Sequence, residues 1–82
     1  MRSFNERFNK CCVNYAFWHD LSVSLESVEA QLIFHGGLSR EDRKIHRAVS
    51  AALAEIMHKV AQAEDYHARQ LNRLRKEYFN ED

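Results

Sequence analysis

Two stretches of this 82-residue chain, Glu55-Ile56-Met57-His58 and Glu64-Asp65-Tyr66-His67, repeat a carboxylate and an imidazole three positions apart. On a helix that spacing puts both groups on one face, as in bundles that hold two iron ions between their helices. Such a centre also needs a glutamate from each facing helix. The residues expected opposite His67 are Phe8, Cys11 and Cys12, and none is acidic. His19 and Asp20 are expected opposite His58, a better set, but Glu55 and His58 stand off the apolar seam described below. No metal and no cofactor is expected.

Three other constellations fail for want of parts. The adjacent pair His19-Asp20 would need further ligands from several more helices than so short a chain supplies. Cys11 with His67 could pair a nucleophile with a base, yet no oxyanion donor and no residue to orient the imidazole is evident. Gly36-Gly37 could open a phosphate loop only with a strand before it and more glycines after it. No catalytic residue is assigned, and the chain is expected not to be an enzyme. A metal-dependent bundle enzyme is the most distant alternative.

The elements that must position these groups are helices. The chain has no proline and only two glycines, and 45% of its residues are apolar. That composition favours helix over a turn-rich β fold. In the first half Phe4, Phe8, Cys11, Tyr15, Trp18, Leu21, Leu25, Val28 and Leu32 recur at steps of three and four, which is helical spacing. In the second half Val49, Leu53, Ile56, Val60, Ala63, His67, Gln70 and Leu74 alternate steps of four and three, a heptad seam. His67 and Gln70 are polar at seam positions, a device that can fix register. Ser39 is a good N-cap, followed by Glu41 and Asp42 where the helix dipole favours anions. Gly36 is expected to take the left-handed conformation that ends the first helix.

The expected fold is all-α: an antiparallel hairpin with a helix over about 3–35, a turn over 36–38 and a helix over about 39–79, forming one domain over 1–82. A tight turn would pair positions whose numbers sum to about 75, setting Leu21 against Leu53 and Tyr15 against Val60. Each helix carries more apolar residues than one stripe requires, among them Val13, Phe17, Ile45 and Tyr78. A wider apolar face belongs to a bundle. Two hairpins forming a four-helix bundle, a homodimer, are the simplest closed solution.

Twelve basic and twelve acidic residues cancel, so no global field draws the chain toward nucleic acid or an anionic membrane. No apolar run is long enough to span a bilayer, and the opening residues carry no apolar leader. With adjacent cysteines at 11 and 12, the expected setting is a reducing cytoplasm. Locally the charge is uneven. Arg40, Arg43, Lys44 and Arg47 form a basic stripe beside the turn. Arg69, Arg73 and Lys76 form another near the open end, where Arg2, Arg7 and Lys10 would join them. Intrahelical pairs are expected between Glu41 and Lys44 and between Asp65 and Arg69.

The function expected from these features is non-enzymatic protein–protein interaction: a self-associating coiled-coil hairpin that serves an unidentified protein partner as adaptor, chaperone-like subunit, regulator or inhibitor. Its partner-binding residues would be the surplus aromatics Phe4, Phe8, Phe17 and Trp18, with the basic residues of both stripes. A bundle that binds nucleic acid through those stripes is the alternative.

Overall fold

The computed structural model describes residues 3–34 and 36–79. It is an antiparallel hairpin of two helices, α1 (Phe4–Ile33) and α2 (Arg40–Phe79), with no strand among the described residues. Both helices start on a serine. The Ser3 hydroxyl accepts from the Glu6 N–H at 3.3 Å, and the Ser39 hydroxyl accepts from the Asp42 N–H at 3.2 Å. Each satisfies a donor that a first helical turn leaves unpaired, worth about 1 kcal/mol.

The end of α1 is built differently from the expectation. The helix stops at Ile33, and His35 lies outside the described residues. Gly37, not Gly36, takes the left-handed backbone, with φ at 72°. The last carbonyls of α1 find two donors. The Phe34 N–H reaches Ala30 at 3.0 Å. The His46 ring donates from Nε2 to the Leu32 carbonyl at 2.7 Å. The last turn of α1 has no basic residue of its own, so an imidazole from α2 supplies what a local cation would otherwise offer.

At a rise of 1.5 Å per residue, the 30 residues of α1 span about 45 Å and the 40 residues of α2 about 60 Å. The long axis of the molecule is 59 Å, the length of α2. The open ends are level, because Phe4 stacks on Tyr78 at 5.1 Å. The extra length of α2 therefore stands past α1 at the turn, by roughly 15 Å. This corrects the expected register. Cross-helix neighbours such as Phe4 and Tyr78, His19 and Glu64, and Trp18 and His67 have numbers summing to between 82 and 85, not 75. The connection climbs along α2 instead of turning tightly.

The interface follows from this register. Leu53, Val60 and Leu74 are the buried residues of α2, and no described residue of α1 is buried. The second column of the α2 seam is Ser50, Met57, Glu64 and Leu71, all half-buried. Val49 and Ile56, expected in that column, are 45% and 51% exposed. Val28 of α1 is likewise exposed. Ala63, His67 and Gln70 are half-buried. No helix of the described residues is long and apolar enough to cross a membrane.

Candidate interaction surfaces

At the open end Phe4 stacks on Phe8 at 5.8 Å and on Tyr78 at 5.1 Å. With Phe79, Arg75 and Asn5 they line a largely apolar cleft of about 330 Å³. Phe4 and Phe8 are half-buried, whereas Tyr78 and Phe79 are mostly exposed. Tyr78 counts among the surplus apolar residues of the sequence. Its position opposite Phe4 follows only from the long register.

Midway along the hairpin Trp18 is half-buried and lies parallel to the His67 ring, with centroids 6.5 Å apart. Trp18 and Tyr15 are the aromatics at this level, in place of the expected Phe8. Phe17 meets the edge of Trp18 at 5.1 Å, yet it remains 59% exposed. Of the four aromatics predicted as contacts, Phe17 is the one that faces solvent. His19 Nδ1 stands 3.6 Å from Glu64 Oε2, beyond hydrogen-bonding reach, and that buried oxygen has no hydrogen-bond partner among the described residues. Glu64 thus faces His19 across the hairpin and does not act with His67. Glu55 and His58 are both exposed. Among the described residues, no three His, Cys, Asp or Glu side chains converge as a metal ion would require.

The two basic stripes differ. Arg40, Arg43, Lys44 and Arg47 line one shallow cleft on the length of α2 that stands past α1. All four are exposed, and none forms an ion pair within the described residues; the expected pair of Glu41 with Lys44 is absent there. The stripe at the open end is divided. Arg69 is bound to Asp65 at 2.7 Å, as its spacing implies. Arg73 faces a groove between the helices, which it lines with Arg7, Lys10, Cys11, His67 and Gln70. Lys76 faces another side, beside Asn72, Arg75 and Phe79. Arg7 grips Glu77 through both guanidinium NH2 groups at 3.4 and 3.2 Å. Arg2 lies outside the described residues. Cys11 and Cys12 are free thiols, both half-buried.

The fold and its surfaces define a two-helix hairpin whose apolar residues outnumber those it can cover. Set against known protein families, curated proteins and solved structures, the chain matches none.

Proposed function

We propose that this chain is a non-enzymatic protein–protein interaction module. Two hairpins associate into a four-helix bundle, whose ends serve a further protein partner as an adaptor, chaperone-like subunit or inhibitor would. A reducing, cytoplasmic setting suits its two adjacent free thiols. One observation carries the reading. The hairpin exposes 6811 Å². A compact monomer of its 9.7 kDa mass exposes roughly 5,100 Å². The excess, roughly 1,700 Å² per chain, is ample for a stable homodimer, which covers about 800 Å² on each partner. Large apolar side chains are among those exposed, including Phe17, Ile33, Ile45, Ile56 and Phe79. Sedimentation equilibrium over a wide concentration range is expected to give twice the 9.7 kDa chain mass. A single chain at every concentration overturns this reading.

A second reading, nucleic-acid binding, draws on the four cations that stand past α1 and form no ion pair among the described residues. Neutralising about four phosphates would make affinity fall roughly 100-fold between 50 and 200 mM salt. Fluorescence anisotropy with labelled DNA and RNA duplexes at both salts measures it. Affinity that does not change with salt, or no binding, removes the second reading and leaves the first.

A further inference from the structure

The hairpin has two open flanks, and they carry different side chains. On one flank of α2 the row Ile45, Val49, Ala52, Ile56, Ala63 and Tyr66 keeps heptad spacing, with Lys59 at the one polar step. Asn14 and Tyr66 line the same groove between the helices. Phe17, Leu21 and Val28 share a helix face with Asn14, so they flank that row on the same side. Ile45, Val49, Ile56 and Tyr66, with Phe17 and Val28, are each between 42% and 62% exposed. The opposite flank of α2 carries alanines 54, 61 and 68 instead.

We propose that the flank bearing Ile45, Val49, Ile56 and Tyr66 of α2, with Phe17 and Val28 of α1, is where a second copy of this chain packs. The two copies run antiparallel about a two-fold axis near Ile56. This rests on the self-association proposed above and assigns it a face and a direction.

Two observations make the occupant a second copy. The excess exposed area of the whole hairpin, set out above, exceeds what one side of a stable dimer needs. The row is also complementary to itself when reversed. An interface with two-fold symmetry presents the same patch on both sides. Reversed about Ile56, Tyr66 meets Ile45 of the other copy, Val49 meets Ala63, and Lys59 meets Ala52. Large side chains face smaller or equal ones, and the Lys59 stem lies along an alanine with its ammonium free to reach water.

Charge fixes the direction. Parallel copies would set Lys59 beside its own mate and bring the two stripes at Arg40, Arg43, Lys44 and Arg47 to one end. Antiparallel copies hold the two Arg43 side chains roughly 38 Å apart along the axis. That is several Debye lengths at physiological salt.

The test uses the full chain with Cys11→Ala and Cys12→Ala as background. Val49→Cys and Ala63→Cys are made in separate chains, mixed and oxidised with copper phenanthroline. A disulfide-linked dimer from the mixture, with little from either variant alone, is expected. Val49→Cys linking to itself overturns the antiparallel arrangement. In parallel, sedimentation follows Ile56→Asp and Ala61→Asp, with far-UV circular dichroism to verify helix content. Ile56→Asp is expected to halve the mass and keep its helices, while Ala61→Asp stays dimeric. If Ala61→Asp dissociates and Ile56→Asp does not, the assigned face is wrong while self-association stands. A wild type that is monomeric throughout removes both.

Discussion

At the scale of single residues, Gly37 carries the turn. Its φ of 72° lies where an L side chain is strained, yet a Cβ added there would meet nothing within 4 Å. The cost of substitution is then a backbone cost alone. Gly37→Val is expected to lose on the order of 1–2 kcal/mol. Gly36 has equally open space and no positive φ. Gly36→Ala is therefore expected to be neutral, or to stabilise by about 0.5 kcal/mol by restricting the unfolded chain. Chemical denaturation of both variants measures the difference, and equal losses would contradict the assignment. The glycine pair announced a turn because both residues lack a Cβ. For the same reason it did not announce which of them takes the left-handed conformation. His46 was less legible still. Nothing near it in sequence marks it as the partner of Leu32, because that hydrogen bond depends on where α2 begins. His46→Ala leaves a terminal carbonyl of α1 without this donor and is expected to cost about 1 kcal/mol.

At the scale of elements, both helices were legible from spacing and caps, and so was one seam column of α2: Leu53, Val60, His67 and Leu74. The register was not. Neighbours from the open end to the middle sum to between 82 and 85, and Leu32 with His46 near the turn to 78, where a tight turn implies 75. Such a slip is close to one heptad, and a heptad returns nearly every seam position to an equivalent one. Periodicity therefore supports both pairings about equally. Only the path of the connection distinguishes them, and it carries little sequence signal. The second column differs from the sequence expectation for a related reason. Val49 and Ile56 are more apolar than Ser50 and Glu64, so hydrophobicity pointed to a row that belongs to the open flank. Leu53 is buried in either register. Leu53→Asp would bury a carboxylate without a partner and is expected to cost several kcal/mol. Gln62→Ala, on the outer face of α2, is expected to change stability by less than about 0.5 kcal/mol. Thermal melts that coincide for the two variants would place the seam elsewhere.

At the scale of the whole molecule, the three side chains buried among the described residues are few to hold 70 helical residues in one arrangement. Several apolar residues that look surplus in the sequence, Phe17 and Ile45 among them, are left exposed by the hairpin, and the self-association proposed above would cover them. If the dimer unfolds and separates in one step, its stability depends on protein concentration by mass action. Two 82-residue chains unfold with an entropy of roughly 340 cal/mol/K, at about 2.1 cal/mol/K per residue. A tenfold rise in concentration adds about 1.4 kcal/mol per dimer. The melting temperature should then climb by about 4 °C for each tenfold increase, and by nothing for a hairpin that folds alone. Melts followed by circular dichroism from about 1 to 100 μM separate the two. Ile56→Asp provides the internal control. Its melting temperature should lie below that of the wild type and stay constant across the same range, because the face that couples folding to concentration has been removed.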